Sequence, residues 1–209
     1  ARSYCQAADR VHCPQQPCQV CPAAIHRVPY KPMPVALQPA PPVALVCAVL
    51  ADSEQTLADS RQRLVERFGP LRSTSEVYAF DFTSYYQGEM GPGLQKQLVC
   101  FAERVDPSEL AATKAQTIEL ERAMGAIAGG ILHRCANIDP GLLSIEGLVL
   151  ATTKYSGHRI CIAPMLYAEL TLLYQRGCYQ PLEWTYPDYR GEVVQRFLLA
   201  ARDWLMKTR

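Results

Sequence analysis

Lys154, His158 and Arg159 form the cluster of side chains best suited to bind an anion. Lysine supplies a mobile positive charge, arginine a planar fork that can bind two oxygens, and histidine a group that gains or loses a proton near neutral pH. Ser156 and Gly157 favour a turn at this point. The cluster predicts a phosphate-binding site. The alternative is a solvated turn in which Arg159 forms a surface ion pair.

Acidic side chains occur both near this cluster and earlier in the chain. Glu169 lies within an apolar run, and Asp81 lies between two phenylalanines. A carboxylate in apolar surroundings must be paired, must bind a metal or must be protonated. Two or three converging acids would suit Mg²⁺ together with a phosphate. The candidate catalytic residues are Asp81, Asp139, His158 and Glu169.

Each acid also has a structural alternative. Asp81 could cap the turn formed by residues 83–86. Asp139 could begin a Pro-Gly turn, and Glu169 could pair with Arg159. The residue types leave both interpretations open for every one of these acids.

Tyrosines are concentrated in two segments, residues 83–93 and 184–190. Base–aromatic stacking tolerates any base, so these side chains could hold a nucleotide or single-stranded RNA. The alternative is that they pack over an edge of the core. The predicted ligand-binding residues are Tyr85, Glu89, Lys154, Arg159, Tyr189 and Arg190. A second hypothesis is therefore an interaction module that binds single-stranded RNA or a protein partner through the two segments.

No common nucleotide-binding motif accompanies these residues. Segment 125–130 is rich in glycine but lacks the lysine that a P-loop uses to reach phosphates. A nucleotide would therefore be bound without the common phosphate loop. The residues favour a domain that binds a phosphorylated small molecule or nucleotide, and the candidate acids extend this to a hypothesis of catalysis.

Charge and cysteine content limit the class of protein further. The net charge is +1 over 209 residues, and the excess of basic residues lies before residue 43. A nearly neutral body argues against duplex nucleic acid, and no apolar run is long enough for a membrane span. Nine cysteines occur, and those after residue 43 have apolar neighbours. They predict reduced, buried thiols and a cytoplasmic protein.

Residues 1–42 are rich in proline, which predicts a disordered or extended tail. Four side chains in it have a spacing that could hold zinc, although a chance cluster is the favoured interpretation: Cys13, Cys18, Cys21 and His26. The sequence starts at Ala1, and Met33 precedes a short proline-rich run. We hypothesise that translation begins at Met33 and that residues 1–32 are not part of the native protein.

Residues 43–209 predict one α+β domain with a mainly antiparallel sheet. Val43–Ala51 is continuously apolar, as is typical of a buried strand, although its length would also suit a signal peptide. A helix follows a cap at Asp52 or Ser53, and a second helix follows the capping box at Asp106. With strands at 76–82, 97–105 and 132–138, these elements have the order of a ferredoxin-like βαββαβ core.

The later segments add further elements to this core. Residues 142–151 predict a helix after a turn at 139–141. A β-hairpin turns at Arg176-Gly177, and 192–206 form an amphipathic C-terminal helix, which Asp188 could cap.

Six motifs occur in collinear order between residues 43 and 209: FDFTSYYQGEMGPG (80–93), DPG (139–141), LATTK (150–154), HRI (158–160), YAE (167–169) and WTYPDYR (184–190). Together they resemble the bacterial domain of unknown function 4416 family. Some members of this family carry a GTP-binding label, but the resemblance implies no reaction. Family members have an acidic residue after the Thr-Thr-Lys motif, where this chain has Tyr155.

Overall fold

The structure, a computed structural model, describes residues 37–208. Contacts between Cα atoms divide the chain into Ala1–Gln38 and Pro39–Arg209, and the fold described below belongs to the second unit. The tail predicted over residues 1–42, apart from its end, lies outside the described residues, as do Met33 and the zinc candidates: Cys13, Cys18, Cys21 and His26.

The centre of the fold is β1 (Val43–Ala51), whose nine residues are all buried. It pairs antiparallel with β4 (Gln95–Val105) on one side and with β7 (Ala136–Leu143) on the other. A strand with helices on both faces needs no alternation of polar and apolar residues. This is why Val43–Ala51 is a continuous apolar run, and the buried strand predicted there is confirmed.

The described residues form a nine-stranded antiparallel sheet, a separate two-stranded hairpin and four α-helices, so the predicted α+β class is confirmed. The remaining elements are α1 (Glu54–Phe68), β2 (Leu71–Thr74), β3 (Tyr78–Ala79), α2 (Gln87–Met90), α3 (Leu110–Met124), β5 (Ala126–Ala128), β6 (Ile131–His133), β8 (Gly147–Thr152), β9 (Ile160–Ala163), β10 (Leu166–Gln175), β11 (Cys178–Pro181) and α4 (Glu192–Lys207). The sheet order is β11-β10-β8-β7-β1-β4-β2, with β3 on β4 and β9 on β10.

Local sequence signals explain where the two long helices on one face begin. The Ser53 hydroxyl accepts a hydrogen bond from the Thr56 amide at the start of α1. Asp106 and Glu109 form a capping box before α3. Both helices pack on the face of β1 that includes Val49. The helix starts predicted at these positions are confirmed.

Helix α4 covers the opposite face of β1, which includes Ala48. Its buried residues recur at helical spacing: Val194, Phe197, Leu198, Ala201 and Leu205. The predicted C-terminal helix is therefore confirmed. Gly191 is the N-cap residue of α4, and no side chain in the described part of the chain caps this helix, so the prediction that Asp188 caps it is wrong.

The elements β1, α1, β2, β4, α3 and β7 follow one another in βαββαβ order, but β2 was not predicted, and the strand predicted over 76–82 is only the two residues of β3. Insertions interrupt this order: β3 and α2 precede β4, and the β5–β6 hairpin separates α3 from β7. The sheet also continues beyond β7 through β8, β10 and β11. The ferredoxin-like arrangement stays a prediction.

Two predictions for residues 139–151 are wrong. The predicted turn at 139–141 lies inside β7, and the predicted helix over 142–151 is the end of β7 followed by β8. Periodicity cannot distinguish a short, fully apolar helix from a buried strand. Tertiary pairing decides here, because β1 and β10 each bond one of these two strands.

The later hairpin is confirmed, with β10 and β11 joined at Arg176-Gly177. Both turn residues have positive φ, 53° and 88°, as a type I′ turn requires. No helix among the described residues is long and apolar enough to cross a membrane.

The sheet divides between β7 and β8, and this split positions the site. The two strands pair only next to the turn that joins them, where Gly141 to Leu143 of β7 face β8. Farther from this turn they separate: β7 stays paired with β1, and β8 stays paired with β10. A Cβ on Gly141 would meet the Val149 carbonyl oxygen at 2.8 Å, so the strands approach closely at the vertex of the split. Pro140 comes next and has no N–H that could require a partner beyond the vertex.

Candidate functional site

A cavity of about 870 Å³ lies where β7 and β8 separate. Its lining comes from α3 on one face of the sheet, from Lys96 of β4 and residues 186–189 on the other, and from the diverging strands. Loop residues complete it, among them Tyr85, Arg134, Lys154 and Arg159. The charged residues in the lining are Lys96, Lys114, Glu119, Glu121, Arg122, Arg134, Asp139, Lys154, Arg159, Glu169 and Asp188.

Two side chains of α3 satisfy the strand edge that the split leaves open. The Lys114 ammonium donates to the Ile138 carbonyl at 2.8 Å, and the Ile138 amide donates to Glu121 Oε1 at 2.8 Å. Unpaired buried backbone groups are costly, so these bonds replace the ladder that β8 would have supplied. Lys114 and Glu121 therefore hold the split open.

Asp139 lies on β7 within this arrangement. Its Oδ1 accepts from Lys114 at 3.1 Å and its Oδ2 from Asn137 at 2.8 Å. Burial alone would raise the pKa of Asp139, but the charges of Lys114 and Lys96 and these hydrogen bonds hold it below its usual value. The lowered pKa keeps the Asp139 carboxylate ionised at neutral pH, and 30% of its side chain is exposed, so it is accessible from the cavity.

Burial also opposes the charge on Lys114, yet Asp139 and Glu121 raise the pKa of this ammonium above its usual value. The neighbouring Arg134 forms a two-bond fork to Glu89, at 2.7 and 2.8 Å, and a further bond to Glu121 at 2.8 Å. The hydrogen bond from Arg134 lowers the pKa of Glu89. These charges form one continuous network from α2 to β7.

A second network surrounds Glu169 on β10. Glu169 Oε2 accepts from Arg159 Nε at 2.7 Å and lies 3.0 Å from His158 Nε2. The His158 ring stacks on Trp184 at 4.8 Å, and its Nδ1 lies 3.1 Å from the Ser156 hydroxyl. The pairing of Glu169 with Arg159, an alternative that the sequence leaves open, is thus present.

The other carboxylate oxygen of Glu169 has no such partner. Glu169 is only 2% exposed, and its Oε1 accepts no hydrogen bond within residues 37–208. A buried, unbonded carboxylate oxygen is unfavourable by about 1–3 kcal/mol or more. Among the described residues that line the cavity, Glu169 is therefore the one with a buried side-chain oxygen that has no hydrogen-bond partner.

A third charged pair forms the wall opposite α3. The Lys96 ammonium lies 2.6 Å from Asp188 Oδ2, and Tyr78 donates to the same oxygen at 3.1 Å. The ammonium also lies 4.8 Å from the centre of the Tyr189 ring. Burial, followed by the charge of Asp188, raises the pKa of Tyr78, so the phenol stays protonated.

Lys154 is exposed at the rim and differs from Lys96, Lys114, Arg134 and Arg159, which are paired with acids. Its ammonium lies 3.8 Å from the centre of the Tyr85 ring and 5.4 Å from that of Tyr86. Within the described residues it forms no ion pair, whereas Lys96, Lys114 and Arg134 each pair with an acid. A cation held only by aromatic faces is available to an incoming anion.

The structure gathers most of the sequence-predicted residues at one place. The members that line the cavity are Tyr85, Asp139, Lys154, Arg159, Glu169 and Tyr189. His158 and Glu89 do not line the cavity, but each contacts a residue that does: His158 contacts Glu169, and Glu89 accepts a hydrogen bond from Arg134. Asp81 is exposed and does not line the cavity, and the Tyr85 amide bonds to Thr83 rather than to Asp81. Arg190 bonds the Leu182 and Thr185 carbonyls, away from the lining.

Sequence reasoning missed several residues of the cavity: Lys96, Lys114, Glu121, Arg134, Asn137 and Asp188. A signal for two of them was available. The buried stripe of α3 runs through Leu110, Lys114, Thr117 and Glu121, so it is polar where an ordinary helix stripe is apolar. A polar inner stripe indicates that the helix covers polar groups. Within residues 37–208, no group of three or more histidine, cysteine, aspartate or glutamate side chains is arranged to hold a metal ion.

Fold and site together define an α+β protein with a charged cavity in a divided antiparallel sheet. Residues 41–204 match the family model described as Domain of unknown function (DUF4416), and the chain belongs to this family. No curated protein and no solved structure matches the chain.

Proposed function

We propose that the cavity binds a phosphorylated small molecule, with a nucleotide as the leading candidate. The observation that carries the proposal is Lys154, a cation at the cavity rim that forms no ion pair within the described residues. Anions are bound most favourably by cations that need not first leave an acidic partner. A phosphate at the rim would pair with the Lys154 ammonium without breaking an existing ion pair.

Arg159 adds donors beside Lys154. Its Nη1 donates to the Lys154 carbonyl at 2.8 Å and its Nη2 to the Tyr186 hydroxyl at 3.0 Å. A guanidinium has five N–H donors, so each of these nitrogens keeps a second hydrogen. The bonds already made fix the plane of the fork, and a fixed fork loses little freedom when it binds phosphate oxygens.

The size and the lining of the cavity agree with a ligand of nucleotide size. Ligand cavities usually measure about 300–1,000 Å³, and this one measures about 870 Å³. Tyr85 and Tyr86 could stack on a base above the rim. Asp139, ionised and accessible, could bind a Mg²⁺ ion that accompanies the phosphates or could act as a base in a reaction.

The proposal is tested by thermal shift and calorimetry on the full chain. The protein is screened against nucleotides and phosphorylated metabolites, with and without Mg²⁺. A ligand at a hundred times its dissociation constant adds about 2.7 kcal/mol, enough to raise the midpoint by several degrees. Lys154→Ala is expected to weaken the phosphorylated hit at least about tenfold, and Lys207→Ala, which removes an exposed lysine on α4, to leave it unchanged. A screen without hits, or equal loss in both variants, would contradict the proposal.

A second candidate is an interaction module for single-stranded RNA or a protein, which exposed aromatic side chains favour. Tyr85 is 64% exposed and Tyr155 is 76% exposed. Tyr189 is buried, so a surface partner would contact Tyr85 and Tyr186 instead. In that case Tyr85→Ala reduces the affinity for a labelled oligonucleotide about tenfold or more, and no small phosphorylated ligand shifts the melting temperature.

A further inference from the structure

We infer that Glu169 Oε1 accepts a hydrogen bond from a neutral hydroxyl group of the ligand, which makes the ligand a sugar phosphate, alone or as part of a nucleotide. This inference rests on the proposed function, because it assigns the recognition of the group next to the phosphate. It assigns to Glu169 a role in specificity rather than in the reaction.

The bonding of Glu169 is asymmetric, and the asymmetry points to a ligand. Oε2 receives both Arg159 Nε and the His158 ring, whereas Oε1 receives nothing within residues 37–208. Buried polar atoms are normally hydrogen-bonded, so a buried carboxylate oxygen without a donor indicates a missing partner. Glu169 also lines the cavity, and its unbonded oxygen is buried within that wall.

The charge balance favours a neutral donor over a cation. Arg159, 2.7 Å away, already neutralises the Glu169 carboxylate. A second positive charge at Oε1 would be opposed by Arg159, while a hydroxyl adds a hydrogen bond without a net charge. Oε1 is buried, so a donor that reaches it must displace a neighbouring side chain as it binds.

The position of Arg159 relates the hydroxyl to the phosphate. One guanidinium group contacts the Glu169 carboxylate through Nε and the Lys154 carbonyl through Nη1. A phosphate bound by the remaining N–H groups of Arg159 therefore lies close to a hydroxyl group bound by Glu169. In a sugar phosphate, hydroxyl groups are only a few covalent bonds from the phosphate, so one molecule can reach both positions.

The substitution Glu169→Gln tests the assignment with almost no change in shape. Arg159 is a donor only, so it holds the amide oxygen at the Oε2 position and turns the amide nitrogen to the Oε1 position. The acceptor at Oε1 thereby becomes a donor and can no longer accept the hydroxyl. At the same time one negative charge near the phosphate is removed.

Calorimetric titration of the full chain with inorganic phosphate and with ribose 5-phosphate separates these effects. In Glu169→Gln, inorganic phosphate is expected to bind as well as in the unmodified chain or better, and ribose 5-phosphate at least about tenfold more weakly. Weaker binding of both probes would show a structural role and overturn the inference. Stronger binding of both would show that Glu169 is merely an unfavourable charge, and would overturn it as well.

A second measurement needs no substitution, so it stays informative if Glu169→Gln fails to fold. The unmodified chain is expected to bind ribose 5-phosphate at least about tenfold more tightly than n-pentyl phosphate, which has no hydroxyl. Equal affinities would overturn the inference and leave the phosphate proposal intact. If neither probe nor inorganic phosphate binds the unmodified chain, the proposed function and this inference fail together.

Discussion

At the scale of single residues, the site depends on charges that are buried and mutually compensated. The Lys114 ammonium pairs with Glu121 and Asp139 and donates a hydrogen bond to the Ile138 carbonyl. Removing one member of such a group leaves the other charges buried without a partner. The resulting loss of stability is larger than the net stability that the intact group contributes.

Lys114→Met is therefore expected to destabilise the protein by about 3–5 kcal/mol. The change leaves the Ile138 carbonyl unbonded and Glu121 and Asp139 without their shared cation. Urea unfolding measures the loss. The matched control is Lys207→Met on the exposed side of α4, where a change within about 0.5 kcal/mol is expected. A loss below about 1 kcal/mol in Lys114→Met would show that the edge of β7 is held by other groups.

Asp139 gives the protein a stability that depends on pH. Its folded pKa lies below the usual value, so this stability is present above about pH 4 and is lost as the pH falls through the folded pKa. Asp139→Asn is expected to cost about 1–3 kcal/mol at pH 7, and the difference from the unmodified chain should shrink as the pH falls below about 4. Asp59→Asn, at an exposed position of α1, is the control and should show no such convergence. Parallel curves for Asp139→Asn and the unmodified chain would contradict the assignment.

At the scale of elements, the decisive feature is the short pairing between β7 and β8. Only Gly141, Leu142 and Leu143 of β7 pair with β8, and Gly141 is the vertex at which the strands part. The absence of a side chain lets the Val149 carbonyl and the Leu150 side chain approach. The geometry of the cavity therefore depends on a glycine that is not itself part of the lining.

Gly141→Ala is expected to destabilise the protein by about 1–3 kcal/mol, because the new Cβ would lie 2.8 Å from the Val149 carbonyl oxygen and 2.6 Å from Leu150 Cδ2. Thermal unfolding monitored by circular dichroism measures the effect. Gly88→Ala is the control, since a Cβ there meets nothing within 4 Å and α2 gains a better helix former. It should be neutral or slightly stabilising. Equal effects of the two substitutions would contradict the close approach at the vertex.

At the scale of the whole molecule, two apolar clusters lie on opposite faces of one sheet. Leu64 of α1 belongs to the cluster around Val49, and Leu198 of α4 belongs to the cluster around Ala48. Both leucines are fully buried. Because β1 contributes alternate residues to both clusters, the sheet joins them into one cooperative structure.

Leu64→Ala and Leu198→Ala are each expected to cost about 2–5 kcal/mol, and their effects should add within about 0.5 kcal/mol in the double variant. Additivity is expected because the two clusters share no residue within the described part of the chain. Urea unfolding followed by fluorescence and by circular dichroism should give one coincident transition. Val65→Ala, on the exposed side of α1, is the control and should change stability by less than about 1 kcal/mol. Two separate transitions would show that the faces unfold independently.

The amino-acid sequence alone determined the features that depend on neighbouring residues. Caps at Ser53 and Asp106, the turn at Arg176-Gly177 and the apolar run of β1 follow from local bonding and side-chain burial, so they were predictable. The sequence also singled out polar residues around Lys154 and Glu169 that the structure brings together at one cavity, since chemically able side chains stand out against apolar runs.

Only the tertiary structure decided the rest. Residues 142–151 are strand rather than helix because β1 and β10 supply partners far away in sequence. Long-range pairing also places three charged residues in the cavity wall. Lys96 pairs with Asp188, and Lys114 pairs with Asp139, each from a different element. Burial of a charge is decided by the partner that the fold brings to it, and sequence spacing does not contain that partner.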